Sequence, residues 1–143
     1  MPDRMTIILA DDDEDDRLLA LEALKETGLR ANLLTVGDGV ELLACLKKRA
    51  ASSESSPVLV LLDLNMPRMG GHEALAAIKQ DPALQSIPVV ILTTSKTEED
   101  IYRGYDLGAN SFVTKPKSFG ALVETMKHFS RYWSETVKLP TLS

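Results

Sequence analysis

Five short apolar runs, each followed by a segment of helical period, decide most of what this chain can become. TIILA (6–10), the weaker NLLTV (32–36), VLVLL (58–62), PVVILT (88–93) and SFVT (111–114) read as strands. VLVLL is apolar at every position, as expected of a strand covered on both faces of a parallel sheet. Between the runs, Leu18, Leu21 and Leu24 mark a helix that ends before Gly28, and Leu42, Leu43 and Leu46 mark a second that ends near Arg49. A short third helix surrounds Leu75 to Lys79. Thr97, with Glu98, Glu99 and Asp100 behind it, opens a fourth that stops at Gly108, and Ser118 caps a last helix carrying Leu122, Met126, Phe129 and Trp133. Parallel strands need crossover helices, and those crossovers are right-handed. The chain is therefore expected to be α/β, a doubly wound five-stranded parallel sheet with helices on both faces. In such sheets ligands sit beyond the carboxyl ends of the strands, so the polar residues there carry the functional question.

A length of 143 residues with 44% hydrophobic and 26% charged residues fits one domain with a proper core. The formal charge of −5, with no Lys/Arg-rich block to offset it, argues against a nucleic-acid partner. No apolar run is long enough for a signal-peptide core or a membrane span, and a reducing cytoplasm is the expected location. Cys45, the only cysteine, reads as a small helical hydrophobe. His72 and His128 have no partner at zinc-ligand spacing and read as surface or helix residues. AASSESSP (50–57) is the one low-complexity stretch and reads as an exposed loop.

Strand one ends in Asp11, Asp12 and Asp13, strand three in Asp63-Leu64-Asn65-Met66-Pro67, strand four in Thr93-Thr94-Ser95, and strand five in Thr114-Lys115-Pro116. Carboxylates from two neighbouring strands suit a hard cation that takes oxygen ligands and keeps water, which describes Mg2+. Such a site uses one or two protein carboxylates, so a carboxylate is left over. Asp63 follows its strand directly and could face both the cation and an incoming reagent. A carboxylate can attack a phosphoryl group to give an aspartyl phosphate. That transfer needs positioning and charge neutralisation, which Lys115 and the Thr93 hydroxyl could supply from the other two strands. Each residue alone has an ordinary reading, and the weight lies in four strand ends meeting on one rim. Asp13, Glu14, Asp15 and Asp16 read instead as the acidic first turn of a helix, where the dipole favours negative charge.

The acidic pair after strand one, LDLNMPRMGG, ILTTS and VTKP, in that order, resemble a response-regulator receiver domain of two-component signalling systems. The resemblance spans about residues 6–129 and implies a flavodoxin-like sheet of strand order 2-1-3-4-5. It implies Asp63 as phosphoacceptor, Asp12 as direct Mg2+ ligand, Asp11 as ligand through water, and the Asn65 backbone carbonyl as a further ligand. Lys115, before a cis Lys115–Pro116 bond, would contact the phosphoryl group. Thr93 would be the hydroxyl that moves towards it, Phe112 the aromatic switch residue, and Asn65 with Ser95 the positions that tune phosphoryl lifetime. The expected domain is 1–130, followed by a C-terminal extension 131–143 with no separate effector domain. The loop AASSESSP and the tail FSRYWSETVKLP resemble the small receivers that partner bacterial phytochrome histidine kinases.

The function these features imply is a non-enzymatic phosphorylation switch, in which a histidine kinase, on this resemblance a bacterial phytochrome, is the donor. Tyr132, Trp133 and Val137 extend the last helix's stripe and are candidates for contact with a second copy, making a homodimer the expected assembly. Leu122, Met126 and Phe129 are expected to pack on the sheet. The alternative is a Mg2+-dependent phosphohydrolase, with Asp11 as nucleophile and Asp13 as the second acid two residues on.

Overall fold

The computed structural model describes residues 5–52 and 57–133. The tip of the AASSESSP loop and Val137 lie outside the described residues. Five strands, β1 (Met5–Ala10), β2 (Ala31–Val36), β3 (Val58–Leu62), β4 (Val89–Thr93) and β5 (Ser111–Thr114), alternate with five helices. These are α1 (Glu14–Glu26), α2 (Gly39–Ala51), α3 (Gly71–Gln80), α4 (Glu98–Asp106) and α5 (Phe119–Arg131). All pairings are parallel and the order is β2-β1-β3-β4-β5, as the alternation of runs requires. Among the described residues no helix is long and apolar enough to cross a membrane.

Successive side chains on a strand point to opposite faces, and the core divides accordingly. Ile8, Val60, Leu62, Val89 and Ile91 pack with Leu42 and Leu46 of α2 and Leu75 and Ile78 of α3. Ile7, Leu9, Leu59, Leu61, Val90 and Leu92 pack with Ala20, Ala23 and Leu24 of α1 and Leu122 and Met126 of α5. β1, β3 and β4 are buried at every position, whereas the edge strands β2 and β5 are not. Leu122, Met126 and Phe129 do pack on the sheet, as expected, and Trp133 joins their cluster, half-buried.

The helix starts are local chemistry. Asp13, Asp38, Thr97 and Ser118 each stand in extended conformation before their helix and accept a backbone N–H three residues on, the arrangement that satisfies otherwise orphaned donors. Gly28 and Gly108 follow α1 and α4 with φ of +74° and +106°, a conformation that L side chains rarely adopt. Of the leucines that mark α1, Leu24 is buried, with Ala20 and Ala23, whereas Leu18 is 55% exposed. A step of three residues falls short of a full turn by about 60°, so Leu18 and Leu24 lie about 120° apart around the helix, and one apolar face does not hold both.

Candidate functional site

The carboxyl ends of β1, β3, β4 and β5 meet on one rim. Asp11 continues β1, where its side chain is 1% exposed, and Asp63 continues β3. The β1 register places Ala10 opposite Leu62, so the two carboxylates that follow are neighbours. Lys115, following β5, reaches across β4 to both: its Nζ lies 2.5 Å from Asp11 Oδ2 and 3.3 Å from Asp63 Oδ2, with Asp16 Oδ2 at 3.6 Å. Thr93, fully buried at the end of β4, donates from Oγ1 to Asp63 Oδ1 at 2.8 Å. Both oxygens of Asp63 are thus engaged by donors from the two strands beyond it.

The electrostatics follow from burial. Desolvation pushes the Asp11 carboxyl above its ordinary range, although the hydrogen bonds from Lys115 and the Asp13 N–H pull the other way. Burial likewise opposes the charge on Lys115, but the hydrogen bond to Asp11 and the charges of Asp63, Asp11 and Asp16 outweigh it and hold the ammonium above its usual range. A buried charge persists only when paired, and here Lys115 and Asp11 are each other's nearest partner.

Asp12 is exposed on the same rim, and one oxygen from each of Asp11, Asp12 and Asp63 lies within 4.8 Å of the others. Three carboxylates and no sulfur or imidazole form the donor set of a hard divalent cation. The residues therefore fit such an ion, whose charge would offset a repulsion that Lys115 only partly neutralises. Asn65 is exposed on the loop after Asp63, and its N–H points to Asp63 Oδ1 at 3.4 Å.

A family model for the response regulator receiver domain matches residues 7–127. The chain belongs to the response-regulator receiver family. Response regulator Rcp1 of Synechocystis sp. is 39% identical to this receiver over 135 residues, covering 94% of this chain and 92% of Rcp1. The crystal structure of the phosphorylated cyanobacterial phytochrome response regulator RcpA superposes with a TM-score of 0.86 at 40% identity, covering 96% and 99% of the two chains. The Mn2+-bound form of Rcp1 gives 0.82 at 38% identity, covering 97% and 99%. Two-component receivers accept phosphoryl groups and work with histidine kinases, so this receiver is a signalling domain with an acidic site for a divalent cation.

Around the site of this receiver, Ser95 Oγ donates to Asp100 Oδ2 at 2.5 Å near the start of α4. Phe112 lies on the α4 side of β5, half-buried, where Gly104 makes room: a Cβ on Gly104 would stand 2.7 Å from Ile91 Cδ1 and 3.3 Å from Phe112 Cδ2. Tyr105 Oη accepts the Phe112 N–H at 3.1 Å. The expected cis Lys115–Pro116 bond is absent, since every described peptide bond is trans. The trans form is the lower in energy for X–Pro by about 0.5–1 kcal/mol, and Lys115 reaches both acids from it. Asp13, as expected, is no part of the acid cluster but caps α1, its Oδ1 accepting the Asp16 N–H at 3.1 Å.

Sequence reasoning missed three supports of the receiver's site. Arg17 Nη1 donates to the Asp11 carbonyl at 2.7 Å and fixes the β1–α1 turn. Gly71 lies so close under the loop after β3 that a Cβ there would come within 2.3 Å of the Asp63 carbonyl oxygen; the GG of LDLNMPRMGG was its only signal. Arg68, with φ of +60°, grips Asp38, a residue 30 positions earlier.

Proposed function

We propose that this receiver is a single-domain switch that takes a phosphoryl group from a histidine kinase phosphohistidine onto Asp63 in the presence of Mg2+, in phytochrome light signalling. The observation that carries it is the Asp63 carboxylate, held from both sides by Thr93 and Lys115 beside the acid cluster. An Asp63 oxygen forms the new P–O bond as the P–N bond of the donor breaks and the electron pair leaves with the imidazole. Asp12, Asp63, the Asn65 carbonyl and, through water, Asp11 would hold Mg2+, which would supply positive charge for the phosphoryl oxygens. Lys115 and Thr93 provide the remaining donors, one already on each oxygen of Asp63. Thr93 is drawn to the new group and gives up its bond to Asp63 Oδ1. The space it leaves opens to Phe112, whose contacts with Ile91 and the Gly104 backbone couple it to α4. The switched surface is then the α4–β5–α5 side. Asn65 and Ser95 are the positions we assign to tuning phosphoryl lifetime.

The phytochrome assignment is supported by the likeness to Rcp1 and RcpA along nearly the whole chain. Exposed Leu19 and Phe119 line a cleft with Lys115, an apolar footing for the kinase segment that brings its histidine to Asp63. We place the domain at residues 1–130 with 131–143 as an extension, in a cytoplasmic homodimer that contacts neither membrane nor nucleic acid. Tyr132, 51% exposed and edge-on to Trp133 at 5.4 Å, borders an apolar cleft of about 480 Å3 with Val113 and Phe129. Light scattering on the full chain and on one ending at Ser130 tests this: a dimer that the truncation splits supports it, and equal monomeric masses refute it.

The phosphohydrolase reading is disfavoured because Asp11 is committed to Lys115 and Asp13 to its helix cap. Labelling with acetyl phosphate and Mg2+ decides between them. Loss of label in Asp63→Asn but not in Asp11→Asn is expected of the switch, and the reverse would establish the hydrolase.

A further inference from the structure

Arg68 stands three residues after Asn65, in the left-handed conformation, and sends its guanidinium across to the start of α2. Its Nε and Nη2 both lie 2.7 Å from Asp38 Oδ2, with Glu41 Oε2 at 3.8 Å. The other Asp38 oxygen, Oδ1, accepts the Glu41 N–H at 2.9 Å and caps α2. Beside the ion pair, the Gly39 N–H donates to the Met69 carbonyl at 3.0 Å, an approach so close that a Cβ on Gly39 would stand 2.7 Å from Met69 Cγ and from its carbonyl oxygen. The loop 65–70 is thus tied to α2 at two successive residues. From within β3–α3 it is tied by the Asn65 N–H to Asp63 Oδ1 at 3.4 Å, a tight Met69 to Pro67 turn, and, at its far end, the Gly71 N–H to the Leu64 carbonyl at 2.9 Å and the Ala74 N–H to the Gly70 carbonyl at 3.0 Å. Arg68 is 59% exposed at its side chain and Asp38 6%, so the pair has one buried anchor and one solvated arm. A pair whose cation is solvated contributes little to global stability, which leaves its geometry, two donors converging on one oxygen, to be explained.

We propose that Asp38 and Arg68 form a clasp that positions the Asn65 loop and thereby sets the affinity of the acidic site for Mg2+. The inference rests on the reading of Asn65 as a cation ligand through its carbonyl. A backbone ligand binds well only if its loop is already in place, because ordering it on binding would cost conformational entropy. Arg68 and Asp38 are positioning residues and touch neither the cation nor the reacting atoms.

The sign of the effect separates the clasp from simple charge. Through space, removing the cation of Arg68 should tighten Mg2+ binding, whereas loss of the clasp should weaken it. Isothermal titration of the unphosphorylated full chain with Mg2+, repeated with Mn2+ by electron paramagnetic resonance, reads this directly. Arg68→Ala is expected to weaken Mg2+ binding about tenfold, the low end of the 10–100-fold typical of residues that orient metal ligands. Asp38→Asn, which keeps a good helix cap, should do the same, and the double variant should be no weaker than either single one. Arg68→Lys should recover only part, since one ammonium cannot place two fixed donors. Affinity within twofold of the parent or tighter in Arg68→Ala, or additive losses in the double variant, would overturn the clasp. A parent chain that bound no Mg2+ would instead overturn the cation reading on which it rests.

Discussion

Replacing Asp12 by Asn should reverse its effect on stability according to whether Mg2+ is present. Asp11, Asp12 and Asp63 bring three carboxylate oxygens within 4.8 Å of one another, and Lys115 is already shared between the other two acids. At that spacing a pair of unit charges repels by about 0.9 kcal/mol in bulk water and by about 3.5 kcal/mol at an effective dielectric near 20. Asp12 repels two acids and is attracted by one ammonium, which leaves about one uncompensated repulsion. Because its side chain is exposed, the lower figure applies, and Asp12→Asn should stabilise the metal-free chain by about 1 kcal/mol. An unfolding entropy near 2.1 cal/mol/K per residue over 143 residues makes about 0.3 kcal/mol/K, so Tm in EDTA should rise by about 3 °C. For the parent chain, Mg2+ at a hundredfold excess over its Kd should add about 2.7 kcal/mol, or about 9 °C, and Asp12→Asn should lose most of that rise. Calorimetric scans of both chains in EDTA and in Mg2+ should therefore cross over. A variant that is less stable than the parent in EDTA, or one that keeps the full Mg2+ increment, would refute the reasoning.

Two further substitutions probe the same rim. Thr93→Ala removes a buried hydrogen bond to Asp63 Oδ1 and should cost about 1–3 kcal/mol in urea melts, with Thr93→Ser retaining most of it. Gly71→Ala drives a methyl onto the Asp63 carbonyl oxygen, whereas Gly70→Ala meets only the Leu64 carbonyl at 3.3 Å. The first should cost at least the ~1–3 kcal/mol of an overpacked core and slow phosphorylation, and the second should do neither, as urea melts and acetyl phosphate labelling would show.

What was legible in the sequence is what local chemistry determines. VLVLL could only be a strand buried on both faces, and Asp13, Thr97 and Ser118 announced helix starts because a cap needs only a side chain three residues from its N–H. Within ILADDDEDD, Asp13 went to the helix start for the same reason, whereas Asp16, read with the first turn alone, also faces Lys115 at 3.6 Å. Relations set by tertiary packing were not legible. Arg68 and Asp38 lie 30 residues apart and meet only because α2 and the β3–α3 loop share an end of the sheet. The bond from Ser95 to Asp100, five residues on at the start of α4, was not anticipated either. Trp133 was expected to contact a second copy, yet it packs partly on its own chain's core, and Tyr132 carries more of the exposed surface.

The central claim is that Asp63 receives the phosphoryl group. Phosphorylating the full chain in Mg2+, reducing it with borohydride and sequencing its peptides tests this at the level of the atom, because an aspartyl phosphate is converted to homoserine where the acyl group stood. Homoserine is expected at position 63 alone and only after phosphorylation with Mg2+ present. Conversion at position 11 or 12, or none at position 63 in a chain that carries phosphate, would contradict it.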